Sequence, residues 1–191
     1  MNYSGVTRGE NIKVSIRISL EEAYHGTKRP LLIPNYPVRC PKCSKFILYS
    51  KGRKQCDVCG GMGVVKREEC IQVCIPAGID THQSIRIKNH GMFGNDLKDE
   101  NRGDLLIQVF VEEHPVFARK EYMLFSTINV NGDIAEHGGE MVVDTIDGKI
   151  NLKIFPGIRE GTKIKIEGKG MPTLRDQNVR GDMYVIVKID V

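Results

Sequence analysis

The chain has 191 residues, 40% apolar and 27% charged, with a net charge of +4. This length holds one medium domain or two small ones, and no apolar run approaches the roughly eighteen residues of a membrane-spanning helix. Basic residues are scattered among acidic ones, aromatics make up 6% and Trp is absent, so neither the basic block nor the stacking platform of a nucleic-acid binder is present.

Residues 1–10 read as a polar tail without the apolar stretch of a signal peptide. The expectation is a cytoplasmic protein that contacts no membrane and whose thiols stay reduced. The first element is a strand: Ile12, Val14, Ile16, Ile18 and Leu20 alternate with Lys13, Ser15, Arg17 and Ser19, the period of a half-buried sheet. Leu20–His25 is the one helical turn expected, with Gly26 in the stop position. Leu31 and Ile33 follow, bracketed by Pro30 and Pro34. Proline cannot donate to an inner ladder, so this short strand reads as a sheet edge.

Two Cys-x-x-Cys knuckles come next, Cys40/Cys43 and Cys56/Cys59, with twelve residues between them. Two intervening residues let one tight turn aim both soft thiolates at one ion, and paired knuckles at this spacing are a strong signature of tetrahedral zinc. The same spacing also suits iron in a rubredoxin-like site. Cys70 and Cys74 flank a later strand on its polar-facing side, about 13 Å apart, too far to share a metal or a disulfide; they read as small packing residues.

Alternation then marks strands at Ile71–Ile75, Ile85–Ile87, Leu105–Val111, Ile128–Val130, Ile150–Ile154, Ile164–Ile166 and Met183–Ile189. The fold class expected is mostly β. The chain also repeats itself. Gly78, Ile79, Ile85, Ile87, Gly91 and Met92 map onto Gly157, Ile158, Ile164, Ile166, Gly170 and Met171. Each copy runs through a polar loop into Arg-Gly-Asp and a last strand, at Arg102–Asp104 and Arg180–Asp182. Ala23 and Gly26 match Ala135 and Gly138. The architecture expected is therefore two tandem homologous β-sandwich or barrel-like domains, at 11–114 and 115–191, with a zinc-binding insertion at about 38–66 in the first. The doubled Arg-Gly-Asp reads as a structural device rather than a receptor motif. The five histidines, His25, His82, His90, His114 and His137, are dispersed and read as surface or turn residues. No hydrolase, zinc-protease or phosphate-loop pattern occurs, so no enzyme is expected.

The stretches SLEEAYHGTKR (19–29), CDVCGGMG (56–63), IPAGIDTHQSIRI (75–87), HPVFARK (114–120), DGKINLKI (147–154) and GTKIKIEGKGMP (161–172) together resemble the C-terminal substrate-binding region of DnaJ-type (J-domain) co-chaperones of the zinc-containing class. The resemblance runs from Arg8 to Val191. It implies a module that binds unfolded polypeptides by strand addition, with an apolar side chain held in a pocket, and hands them to a DnaK-type 70-kDa heat-shock chaperone. Carried over position by position, the pocket is Ile12, Leu31, Ile33, Ile71 and Phe117. The knuckles correspond to the first and fourth of the family's four cysteine repeats, which share one zinc ion, so one Zn2+ per chain is expected. Only Cys56–Gly63 keeps the full CxxCxGxG form; Cys40–Cys43 continues as Ser44-Lys45-Phe46. The His-Pro-Asp tripeptide of a J domain does not occur. The sequence ends at the last strand, where the family continues into a dimerisation segment, so a monomer is expected. The alternative is a zinc-ribbon nucleic-acid-binding protein, supported by a pI near 8.7 and by Lys51, Arg53 and Lys54 between the knuckles.

Overall fold

The computed structural model describes residues 5–43 and 56–190. The first repeat comprises β1 (Ile12–Ile18), α1 (Leu20–His25), β2 (Thr27–Arg39), β3 (Val64–Ile75), β4 (Ser84–Ile87) and β5 (Leu105–Val111). A short strand β6 (Ala118–Lys120) precedes the second, which comprises β7 (Met123–Asn131), α2 (Gly132–His137), β8 (Gly139–Thr145), β9 (Gly148–Ile154), β10 (Lys163–Ile166) and β11 (Met183–Asp190). The protein is mostly β, as expected, and the two repeats share one order of elements. Among the described residues the strands form two larger sheets, β1-β5-β4 and β10-β11-β7-β6, and two ribbons, β2-β3 and β8-β9. The trio β7-β11-β10 reproduces β1-β5-β4.

Alternation accounts for the burial. In β11, Met183, Val185 and Val187 are fully buried, while Tyr184, Ile186 and Lys188 alternate with them. β11 pairs in parallel with β7, setting Val187 against Ile128 and Val185 against Ser126. Val130, Val187 and Ala135 of α2 form one core, joined by Ile134, Met141, Ile164 and Ile189. Each fully buried aliphatic side chain contributes about 1.5–3 kcal/mol relative to exposure.

Among the described residues two α-helices are found where one helical turn was expected, besides a 3-10 turn at Asp99–Asn101. α1 is closed by a capping box: the Glu22 N–H donates to Ser19 Oγ at 3.2 Å, and the Ser19 N–H donates to Glu22 Oε2 at 3.0 Å. α2 is capped by Asn131, whose Oδ1 accepts from the Asp133 N–H. Both helices stop at a glycine in the left-handed region, Gly26 at φ +70° and Gly138 at φ +80°. A six-residue helix shows too little of a 3.6-residue period to be read from hydrophobicity. Its caps were the available signal, because Ser19/Asn131 and Gly26/Gly138 occupy repeat-equivalent positions.

Both Arg-Gly-Asp triplets stand where a loop enters the last strand of a repeat. In the first, Arg102 is 8% exposed and Asp104 1%. The Arg102 guanidinium donates to the carbonyls of Gly91 and Pro37 and lies 4.3 Å from the Phe93 ring centroid. The Asp104 carboxylate accepts from Arg8, Arg86 and the Asn89 N–H at 2.6, 2.6 and 3.0 Å. These donors hold its pKa below the usual carboxylate range. In the second, Arg180 donates to Asp147 at 2.7 Å and to the Tyr24 hydroxyl, and Lys165 pairs with Asp182 at 3.0 Å.

The chain divides into two compact units that interleave in sequence. One comprises residues 1–16, 28–73 and 82–109; the other comprises 17–27, 74–81 and 110–191. This division follows packing, whereas the boundary at His114-Pro115 follows the internal repeat. In the second unit Tyr24 of α1 donates to Asp147 Oδ2 at 2.7 Å, and Arg119 donates to the carbonyls of Ile79 and Gly78 at 2.6 and 3.0 Å. Short stretches of the first repeat are thereby tied to elements of the second.

Candidate metal centre and binding surfaces

The four knuckle cysteines converge. Their sulfurs all lie within 4.8 Å of one another, with Cys40–Cys56 at 3.8 Å and Cys43–Cys59 at 3.5 Å. A metal–sulfur bond of about 2.3 Å in a tetrahedron places sulfurs roughly 3.8 Å apart. The observed spacing fits that geometry, and all four cysteines are free thiols. The local sequence explains the convergence. The Gly60 N–H donates to the Cys56 carbonyl at 2.8 Å, turning the second knuckle. Gly63, at φ +74°, donates its N–H to Cys59 Sγ at 3.2 Å while its carbonyl accepts from the Cys40 N–H at 2.9 Å. Gly63, the last glycine of CxxCxGxG, therefore both orients a ligand and links the two knuckles. Lys42 and Asp57, one from each knuckle, close the pair outside.

Burial pushes the Cys59 thiol up, but the Gly63 N–H, the neighbouring thiols and the Gly61 N–H overcome this and hold it at about 6. Burial and the other three cysteines push Cys43 up instead. Cys40, Cys56 and Cys59 are themselves the buried core of this segment, with Cys43 and Val65 packed against them. The donor set, its burial and its spacing thus suit a soft or borderline metal ion. Residues 44–46 and Lys51, Arg53 and Lys54 lie outside the described residues.

Cys70 and Cys74 depart from the expectation. Both are exposed on β3, on the face opposite buried Val73 and Ile75, so they pack in no core.

The residues of the implied peptide pocket are distributed as follows. Ile12 on β1, Leu31 and Ile33 on β2 and Ile71 on β3 belong to the first unit. Ile12, Leu31 and Ile71 are half-buried and Ile33 is 2% exposed. β2 pairs only with β3 among the described residues, which leaves its other edge without a strand. Pro30 and Pro34 stand exposed within β2, and Leu32 is 57% exposed. Asn35, at φ +57°, shifts the alternation, so Ile33 and then Tyr36 and Pro37 are the buried positions.

Phe117 belongs to the second unit, where it is 7% exposed and stacks on His114 with centroids 5.0 Å apart. His114 Nδ1 accepts from the N–H groups of Val116 and Phe117, both at 3.1 Å, and its Nε2 lies 2.9 Å from Glu21 Oε1. His114 is thus a turn residue, as expected, but one that supports Phe117. Leu20, Asp80, Glu112 and Arg119 line a groove of about 460 Å³ beside them.

The family pattern of the DnaJ C terminal domain matches residues 12–191. A chaperone protein DnaJ of Lachnospira eligens is 30% identical over 230 aligned positions, covering 100% of this chain and 61% of that protein. Those of Paracoccus denitrificans and Acetivibrio thermocellus are 31% and 30% identical, each covering 98% of this chain and 59% and 58% of the relative. The chain thus spans about three fifths of the length of these relatives. The first alignment is longer than the 191 residues of this chain, so that relative carries insertions absent here. With a duplicated β fold, a four-cysteine cluster and this match along almost its whole length, the chain belongs to the DnaJ C-terminal domain family.

Proposed function

We propose that this chain is a non-enzymatic chaperone module that captures unfolded or extended polypeptide at its first substrate-binding domain, residues 11–114. The observation that carries the reading is the free edge of β2 beside half-buried Leu31. Strand addition uses main-chain hydrogen bonds common to all sequences, and an apolar pocket supplies the preference for an anchoring side chain. Ile12, Leu31, Ile33 and Ile71 supply apolar surface in that unit. Captured chains pass to a DnaK-type 70-kDa chaperone in the cytoplasm. One zinc ion, held by Cys40, Cys43, Cys56 and Cys59, orders the segment of about 38–66; thiolates in this number and spacing favour zinc.

The test is fluorescence anisotropy with a labelled peptide carrying a central Leu. Affinity of roughly micromolar or weaker is expected, because one added strand buries little area. Leu31→Asp sets an unpaired charge on the anchoring surface and should abolish binding while the protein stays folded. Ile33→Asp is the poorer variant, since a charge at a 2% exposed position threatens the fold itself. Unchanged affinity in folded Leu31→Asp would overturn the assignment.

A further inference from the structure

The second unit carries a surface that its fold does not require. In the sheet β10-β11-β7-β6, Leu124, Ser126, Met183 and Val185 face the core. Met123, Phe125, Tyr184 and Ile186 alternate with them and stand half-buried on the opposite face. Phe125 and Tyr184 are register partners, and their rings stack at 5.5 Å with 18° between planes. Three exposed lysines rim this patch. Lys120 lies opposite Met123, Lys163 lies opposite Ile186, and Lys188 is two residues beyond Ile186. None of the three forms an ion pair among the described residues, whereas nearby Lys165 is held by Asp182 and Glu167 at 3.0 and 3.5 Å.

The internal repeat provides the control. On the equivalent face of the first repeat, Lys13, Leu106, Gln108 and Ser84 occupy the positions of Phe125, Tyr184, Ile186 and Lys163, and they line a groove together with Val14 and Ser15. The same strand order therefore forms without an aromatic pair at this place.

We propose that this face docks an acidic, amphipathic polypeptide segment. Its apolar side chains cover Phe125, Tyr184, Met123 and Ile186, and its carboxylates meet Lys120, Lys163 and Lys188. Charge complementarity selects this occupant. A second copy of the chain, related by a two-fold axis, would set one lysine rim against the other. Nucleic acid is disfavoured because base stacking needs open ring faces, and these two rings already stack on each other. This site is separate from the β2 edge, so either can fail without the other.

The probe is a labelled peptide of about ten residues alternating Glu and Leu, titrated at low salt, where exposed charges are least screened. Amide shifts are expected on β7, β10 and β11. The Lys163→Glu/Lys188→Glu double variant should bind about tenfold more weakly, since reversing rim charges turns attraction into repulsion. Lys13→Glu on the first repeat should change nothing. Tyr184→Leu installs the first repeat's residue, so it should fold normally and still weaken binding. Shifts confined to β2, equal binding by the double variant, equal binding of a Lys-Leu peptide or of an oligothymidylate, or self-association through this face would each overturn the proposal.

Discussion

The two Arg-Gly-Asp glycines allow a quantitative test of the duplicated fold. A Cβ on Gly103 would stand 2.0 Å from the Glu10 carbonyl oxygen, and one on Gly181 would stand 2.1 Å from that of Tyr122. The same three hydrogen bonds surround each glycine. In the first repeat the Gly103 N–H donates to Met92 O at 2.9 Å, the Met92 N–H to Glu10 O at 2.8 Å and the Ile12 N–H to Asp104 O at 2.9 Å. In the second, Gly181 donates to Met171 O, Met171 to Tyr122 O and Leu124 to Asp182 O, at 2.9, 2.8 and 3.1 Å. An ordinary carbon–oxygen contact of roughly 3.2 Å would require a backbone shift of about 1 Å, enough to break these bonds. Three hydrogen bonds at about 1 kcal/mol each, with overpacking of about 1–3 kcal/mol, give a loss of about 4–6 kcal/mol for either Gly→Ala change. Urea unfolding followed by far-UV circular dichroism should show the affected transition falling by more than about 1 M. Gly132→Ala is the control: at the start of α2 nothing lies within 4 Å of its added Cβ, and a gain of up to about 1 kcal/mol is expected. A Gly103→Ala midpoint within about 0.2 M of the parent would refute the close-approach argument.

Three further outcomes are expected. Elemental analysis should find one metal ion per chain. Cys56→Ser should lose it, and chelation should unfold the cysteine segment, whose buried core is the ligands themselves, while strand content in the sheets survives. Two ions, or full metal retention in Cys56→Ser, would contradict this. Asp147 is raised by burial but lowered further by Tyr24, Arg180 and Lys169, so its folded pKa lies below the unfolded value. Its contribution to stability is therefore present above about pH 4, the unfolded carboxylate range, and is lost as pH falls through the folded pKa. Asp147→Asn should flatten the acid limb of a stability–pH curve, and an unchanged limb would show that the Tyr24–Asp147–Arg180 group is not coupled to folding. Leu124→Ala removes a fully buried side chain beneath the second sheet and should cost about 2–5 kcal/mol in thermal or urea unfolding; a loss under about 1 kcal/mol would mean that this core collapses around the vacancy.

The parts of the fold legible in the sequence were those governed by one simple period. β1 alternates strictly, β5 and β11 carry an apolar residue at every second position, and the mapping of Gly91-Met92 onto Gly170-Met171 disclosed the duplication. The cysteine spacing likewise pointed to the cluster of four sulfurs, because ligand chemistry leaves few other uses for two such knuckles. β2 was legible only in its middle. Its 13 residues include Pro30, Pro34 and Pro37, and left-handed Asn35 resets the phase, so no single alternation runs through it. Burial of Arg102 and Asp104 was not legible, since charged residues are interior only when fully partnered and their partners, Gly91, Arg8 and Arg86, are distant in sequence. The strand phase, which places Val73 and Ile75 inward, put Cys70 and Cys74 on the polar side as found; only the packing role failed, because cysteine is usually buried.

Backbone chemical-shift mapping with an unlabelled peptide carrying a central Leu tests polypeptide capture at β2 most directly. The largest amide changes should fall on residues 28–37 of β2, with slowed hydrogen exchange along that strand as its free edge gains a partner. Changes concentrated on residues 115–190, with β2 exchange unaltered, would contradict capture at this edge.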